Sequence, residues 1–552
     1  MIRKIMAGVL DEVQNPSLRA YAECYVDIER SFAESVAGLG LPFAEPVAGG
    51  NAPDGMAALD ATEGDAADGD EELRAERVPE AIGGESASEV VAANTREAES
   101  PQFMSERDAV SPLPNKLRSY INSSVEILND GKSLLRGWRS SACAACNVGI
   151  GTETFITSTR CPKRCFFCFN PNQANFDGRD GVLHDVVGQL EERHSQGVRY
   201  THLALTGGEP LLHKDQAVAF FKRARELYPN VHTRLYTSGF GVDEPTLEAL
   251  RDAGLNEIRF SVKTEDVPWP SAEAEAEGDV PATGSAPQGE AAGEGASAAG
   301  SPDAANGPSP CAPMFPPAIE ETLAQMALAT RYIPDVMVEM PVLPDQLELM
   351  KALLVRLDAI GARGINLLEL GYPFFNADEF ARRGYLLKPS PYRVLYDYAY
   401  AGGLPVQGSE QACLELLAFA AQRDLRLGVH YCSMENKHTG EVYLANTPYA
   451  RQYPLYALSP QDHFLKTAKV FGADRAPVRQ LLTTLRIPFQ DDPENDALTL
   501  HPGNLSLLAS AFPNMEVAIA YALREQREEG PVLRELRVDL TTPATFDVKA
   551  DL

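Results

Sequence analysis

Glu153-Thr-Phe-Ile-Thr-Ser-Thr159, then Arg160, then Cys161-Pro-Lys-Arg-Cys165-Phe-Phe-Cys168 is the stretch from which the rest of this chain is read. The β-branched and aromatic residues of the first part predict a strand. The second part sets three cysteines at Cys-x3-Cys-x2-Cys spacing in the loop directly after it. Pro162 and the Asn170-Pro171 pair keep that loop from becoming helix. Three soft thiolates in one short loop converge on a metal, either iron or zinc. On a four-iron cluster, three ligands leave one iron open for chemistry. A zinc loop instead recruits a fourth Cys or His, and Cys143-Ala-Ala-Cys146 lies just upstream. Lys163 and Arg164 help to stabilise thiolate charge.

Outward from this loop the chain alternates strand and helix. Val182–Ser195, Gln216–Leu227 and Glu244–Ala253 have helical periodicity, with strands at Thr201–Leu205, His232–Thr237 and Glu257–Val262 between and after them. Further on, Ile319–Tyr332 and Leu347–Leu357 are predicted helices, and Val336–Val342 and Ile365–Leu370 strands. Counted from Glu153, that predicts six βα-type strands in one parallel sheet, with helices outside it. Right-handed crossovers curl such a sheet into a full or partial barrel. The expected fold class is α/β: a partial (β/α)6 TIM-like barrel with an N-terminal helical extension, two disordered acidic insertions and a C-terminal α/β cap.

The 552 residues divide on composition into an N-terminal helical segment (1–47), a disordered acidic linker (48–110), a pre-barrel segment carrying Cys143 and Cys146 (111–148), a barrel (149–440) and a C-terminal accessory region (441–552). In the first, Leu18, Tyr21, Ala22, Tyr25 and Ile28 share a helical face that Phe32 continues. A second low-complexity insertion, 264–313, interrupts the barrel after its fourth strand. The formal net charge is −29, and these two polar stretches hold about 21 of those charges, so the rest is only mildly acidic. The overall charge disfavours nucleic-acid partners. No apolar run is long enough to span a membrane, and no secretion signal opens the chain, so a cytoplasmic location is expected. The C-terminal region is expected to contain short helices at Phe464–Phe471 and Ala476–Leu485, a hairpin over Pro488–Leu500, a helix at Val517–Glu528 and a strand at Leu533–Leu540. It fits an α/β cap or a winged-helix-like module.

A second motif follows the second strand: Leu205-Thr206-Gly207-Gly208-Glu209-Pro210-Leu211. Paired glycines at a strand end permit close backbone approach, and a neighbouring carboxylate can accept hydrogen bonds from an ammonium group. With the cysteine spacing, this sequence resembles the radical S-adenosylmethionine (SAM) superfamily. The resemblance covers residues 149–440, a little over half the chain. It implies a [4Fe–4S] cluster on Cys161, Cys165 and Cys168, with SAM chelated at the open iron. Reductive cleavage of SAM would then yield a 5′-deoxyadenosyl radical that abstracts hydrogen from substrate. It implies that Phe167 packs near adenine and that Gly207, Gly208, Glu209 and Pro210 hold the SAM amino group. Ser238, in Tyr236-Thr237-Ser238-Gly239, and the fourth-strand residues Arg259 and Ser261 are implied as further SAM contacts. Glu339, Asn366 and Glu369 on the fifth and sixth strands are either site groups or polar barrel residues. An electron donor such as a ferredoxin or flavodoxin is implied as a partner.

Cys143, Cys146 and Cys432 form a candidate second site for an Fe–S cluster or zinc, with His430, His438 or a small ligand as the fourth partner; the alternative is a loop with incidental thiols. Cys24, Cys311 and Cys413 carry no spacing signal, and Cys413 is expected in the core. The substrate is not readable from these residues. A peptide or protein ranks slightly above a small molecule because of the candidate second site and the C-terminal region. The rival from another class is a non-catalytic zinc or Fe–S regulatory protein whose C-terminal region binds nucleic acid.

Overall fold

The structure is a computed structural model that describes residues 3–4, 10–26, 115–170, 181–265, 267, 315–373, 377–388, 392, 394, 403–527 and 530–552. The acidic linker 48–110, the insertion from 268 to 313 with Cys311, and the predicted helix positions Ile28 and Phe32 lie outside them.

Nine strands form the main sheet: β1 (Glu126–Leu128), β2 (Ser133–Arg136), β3 (Thr152–Ile156), β4 (His202–Thr206), β5 (His232–Thr237), β6 (Glu257–Phe260), β7 (Asp335–Val342), β8 (Gly364–Glu369) and β9 (Gly428–Cys432). Their order is β1-β2-β9-β8-β7-β6-β5-β4-β3. From β3 to β9 every neighbouring pair is parallel. β1 and β2 add an antiparallel pair on the far edge. Among the described residues no pairing joins β3 back to β1, so the barrel is partial. The six expected strands are all present. β9 is a seventh, reached after the helix Ser409–Gln422.

Helices cover the outside. α1 (Val186–Ser195), α2 (Lys214–Leu227), α3 (Glu244–Asp252), α4 (Pro317–Ala329) and α5 (Leu347–Ile360) each follow a strand. Asp185 and Asp243 cap α1 and α3 by accepting from the Gly188 and Thr246 amides. Phe220, Phe221, Leu247, Leu323, Met326, Leu353 and Leu357 bury fully against the sheet. Each such side chain contributes roughly 1.5–3 kcal/mol. Alternation along the strands points the opposite set inward: Arg234 and Tyr236 on β5, Arg259 on β6, Glu339 on β7, Asn366 on β8, and His430 with Cys432 on β9. The lumen is therefore polar.

The C-terminal region is built on an antiparallel sheet of β10 (Leu465–Phe471), β11 (Phe489–Asp492), β12 (Ala497–Leu500), β13 (Val517–Arg527) and β14 (Gly530–Thr541), with Arg3–Lys4 on its edge. The helix Arg475–Leu485, the β11–β12 hairpin and the last strand agree with expectation. Two expected helices do not: Phe464–Phe471 and Val517–Glu528 are strands. In β13, Val517, Ile519, Tyr521 and Leu523 enter one core, while Ala518 and Ala520 enter another that holds Val13, Leu18 and Ala22. A strand buried on both faces shows no alternation to read. Residues 16–26 are helical as predicted, and they pack on this sheet. The hydroxyls of Tyr21 and Tyr25 both donate to Glu535.

Candidate active site

The two motif loops meet at the C-terminal ends of β3 and β4, where such barrels place their chemistry. Backbone hydrogen bonds zip them together. Thr157 N donates to Thr206 O (3.0 Å), Gly208 N to Ser158 O (2.7 Å) and Glu209 N to Arg160 O (2.8 Å). Asn170 Nδ2 adds a bond to Gly207 O at 3.1 Å. This contact explains both glycines. A Cβ on Gly207 would lie 2.2 Å from Ser158 O, and one on Gly208 2.1 Å from Arg160 O and 2.4 Å from Thr159 O. The backbone they admit is that of the cysteine loop itself. Gly208→Ala should therefore push the two loops apart. We expect the apoprotein to lose about 1–3 kcal/mol of stability, with at least half of the iron lost after reconstitution. Thermal melting and iron assay measure both effects; an unchanged iron content would contradict the zipped arrangement.

Cys161 is exposed, Cys165 and Cys168 are half-buried, and all three are free thiols. Among the described residues their sulfurs do not all lie within 4.8 Å of one another. Thiolates sharing one zinc ion, bonded at about 2.3 Å, would lie about 4 Å apart. The three sulfurs are thus not gathered as a single zinc would gather them. Burial raises the Cys161 and Cys165 thiols, the latter to about 11, and the nearby Lys263 ammonium opposes this. Lys263 also donates to Ser261 Oγ at 3.0 Å and sits 5.6 Å from the Phe167 ring centre. Sequence reasoning missed Lys263, although strand alternation from Arg259 through Ser261 leads to it. Phe167 is half-buried, edge-on to Phe166 at 5.2 Å.

Glu209 has no exposed surface. Its carboxylate accepts from Leu211 N (3.1 Å), Thr237 Oγ1 (3.0 and 3.1 Å), Ser238 N (2.7 Å) and Ser238 Oγ (2.7 Å). Burial pushes its carboxyl upward, and the donors from Ser238, Leu211 and Thr237 pull it back. Glu209 thus braces β4 against β5 and holds the Gly207-Gly208 turn in place. Pro210 is buried beside it at the start of a short 3-10 turn. The Ser238 hydroxyl serves Glu209.

Arg259, expected as a SAM contact, faces the lumen of the sheet. Its guanidinium is buried and pairs with Glu257 and Glu339. It also donates to Tyr236 OH (3.4 Å), Ser140 Oγ (3.2 Å) and Cys143 Sγ (3.6 Å). Its donors are engaged within the lumen. Glu339 is lowered by Arg259 and Asn366 against its own burial. Glu369 is buried, accepting from Met434 N (2.8 Å) and Lys388 Nζ (3.3 Å). Lys388 bridges it to Glu410 at 2.6 Å.

The second cysteine set also enters the lumen. The short helix Ser141–Cys146 starts where Ser140 meets Glu257 and Ser141 meets His202, at the N-terminal ends of the strands. It carries Cys143 to Asn366, whose Nδ2 lies 3.3 Å from the sulfur. The Cys432 thiol lies within electrostatic reach of both Cys146 and Cys143. His430 lies in the same lumen. Its ring nitrogens already bond Ser133 Oγ (2.7 Å) and Asn366 Oδ1 (3.0 Å), and burial lowers it to about 3. Both ring nitrogens are therefore engaged within the protein. His438 faces Glu441 and sits with Lys132, Asp462 and Phe464. Cys413 is in the core.

Residues 155–266 match the family model of the radical SAM superfamily. Over 102 residues the chain is 37% identical to a PqqA peptide cyclase of Gluconobacter oxydans, covering 18% of this chain and 27% of that protein. Over 108 residues it is 32% identical to a PqqA peptide cyclase of Granulibacter bethesdensis, covering 20% and 28%. The chain thus spans little more than a quarter of the length of these curated relatives. A similar solved structure is that of Streptococcus suis SuiB bound to precursor peptide SuiA, 12% identical, TM-score 0.33, covering 55% of this chain and 54% of that one.

Proposed function

We propose that this chain, which carries a radical SAM superfamily domain in residues 155–266, reductively cleaves SAM and uses the resulting radical on a peptide. The observation that carries the first part is the zipped pair of loops, with three free thiols on one and the Gly-Gly-Glu-Pro turn on the other. The donor set fits a [4Fe–4S] cluster: three cysteines, spread wider than one ion would gather them, with Lys263 beside them as a counter-charge. When bound, the cluster supplies the electron that breaks the SAM sulfonium bond.

The chain's own residues do the rest. Cys161, Cys165 and Cys168 hold the cluster and leave one position for SAM. Glu209, braced by Thr237 and Ser238, fixes the turn whose backbone faces the SAM amino group. Phe167 and Lys263 form a side wall, and Ser261 holds the Lys263 ammonium in place. The aromatic cluster of Phe166, Tyr372, Phe380 and Tyr385 packs beside the cysteine loop and limits water there. A small reduced protein, a ferredoxin or flavodoxin, supplies electrons. The peptide assignment rests on the relatives named for a peptide substrate.

Two outcomes test this reading. The anaerobically reconstituted full chain, given dithionite and SAM, should form 5′-deoxyadenosine. With the peptide fraction of a perdeuterated bacterial extract, deuterium should enter that product, and protease treatment of the fraction should remove the label. Label surviving proteolysis would refute a peptide substrate. Absence of 5′-deoxyadenosine under all conditions would refute SAM cleavage.

A further inference from the structure

We propose that Cys143, Cys146 and Cys432 bind a second polynuclear iron–sulfur centre, set in the lumen of the barrel between the helix Ser141–Cys146 and the end of β9. This goes beyond the SAM-cleaving reading and does not depend on it. The topology brings together residues almost three hundred positions apart. Alternation on β9 turns Cys432 to the same side as His430, which contacts Asn366 and Ser133. Asn366 in turn touches Cys143. The end of the Ser141–Cys146 helix is pressed onto the start of the helix after β9: a Cβ on Gly440 would lie 2.4 Å from Cys146 O. Cys143 and Cys432 are half-buried, and Cys146 keeps an exposed edge while protein surrounds its thiol. None of the three is in a disulfide.

Two independent features point to an anionic occupant. First, every thiol has a nearby donor or cation. Asn366 Nδ2 lies 3.3 Å and Arg259 Nη2 3.6 Å from Cys143 Sγ, and Asn436 Nδ2 lies 3.1 Å from Cys432 Sγ. Lys437 is near Cys432, and Arg234 near Cys146. Second, Arg234 is 6% exposed, makes no ion pair among the described residues, and leaves Nε and Nη1 without hydrogen-bond partners. Its neighbour Arg259 already takes Glu257 and Glu339. The Arg234 guanidinium lies 5.9 Å from the Tyr236 ring centre and feels the Glu257 and Glu339 carboxylates, yet those two nitrogens stay unbonded. Thiolates and bridging sulfides between the three cysteines would accept from those two nitrogens.

Among the described residues, Cys143, Cys146 and Cys432 do not gather within 4.8 Å of one another. They share this with Cys161, Cys165 and Cys168, and it speaks against a single zinc drawn to all three thiols. With His430 satisfied, three thiolates leave one iron for an exogenous ligand.

The decisive experiment removes the first centre. The Cys161→Ala/Cys165→Ala/Cys168→Ala chain, reconstituted anaerobically with iron and sulfide, should retain about four irons, with matching sulfide and a reducible EPR signal. Adding Cys143→Ala/Cys146→Ala/Cys432→Ala should remove them. A colourless protein, or one holding a single zinc, would overturn the proposal. Should the first variant fail to fold, the wild type provides the reading. It should carry about eight irons, against about four in Cys143→Ala/Cys146→Ala/Cys432→Ala. Equal counts would overturn the proposal while leaving 5′-deoxyadenosine formation as a separate test of SAM cleavage.

Discussion

Alanine at Cys161, Cys165 or Cys168 should reduce SAM cleavage on the order of 1000-fold or more, the scale seen when a group through which the chemistry passes is removed. The fold should survive. Cys161 is exposed and the other two thiols half-buried, so none anchors the core. The loop is held from outside by the Ser158 and Arg160 carbonyls and by Asn170, and these bonds remain. The apoprotein should melt within about 2 °C of wild type, since loop substitutions away from packed or polar-buried features cost about 0.5 kcal/mol or less. The readouts are 5′-deoxyadenosine by chromatography and melting by circular dichroism. Cleavage persisting in any single variant would mean that this cysteine is not a ligand. A large melting shift would mean that the loop is part of the core.

Glu209→Ala should act oppositely, on the fold as well as on SAM. The carboxylate is buried and accepts from Leu211, Thr237 and Ser238. Its removal strands those donors and opens a cavity, at a cost of about 3–5 kcal/mol. At about 2–4 °C per kcal/mol, the apoprotein melting temperature should fall roughly 10 °C. Glu209→Gln keeps the volume but turns an NH2 towards donors, so about half that loss is expected. Both variants should bind SAM weakly after reconstitution, because the braced turn is lost. An unchanged melting temperature for Glu209→Ala would show that the carboxylate faces the ligand and is not the strut between β4 and β5.

What the sequence made legible follows from short-range signals. The cysteine spacing and the Gly-Gly-Glu-Pro turn lie within single loops, and the six strands alternate with periodic helices, so sheet order followed. β9 was not legible as a barrel strand because a long excursion separates it from β8. Arg259 was legible only as a residue on one face of its strand. Strand alternation does not say that Glu257 and Glu339 would claim its guanidinium. Glu209 was identified as a site residue from its motif, yet its saturation by Ser238 and Thr237 depends on a neighbouring strand. The glycines were expected to admit a ligand, and the backbone they admit is that of the cysteine loop. In the C-terminal sheet, β10 and β13 are buried on both faces, which erased the period-two pattern, and the alanines of β13 make its run resemble helix.

The most direct test of the account is one anaerobic incubation of the reconstituted full chain with SAM and dithionite. The account predicts a brown protein, iron with matching sulfide, and 5′-deoxyadenosine formed together with methionine. A colourless protein that holds only zinc and leaves SAM intact would contradict it.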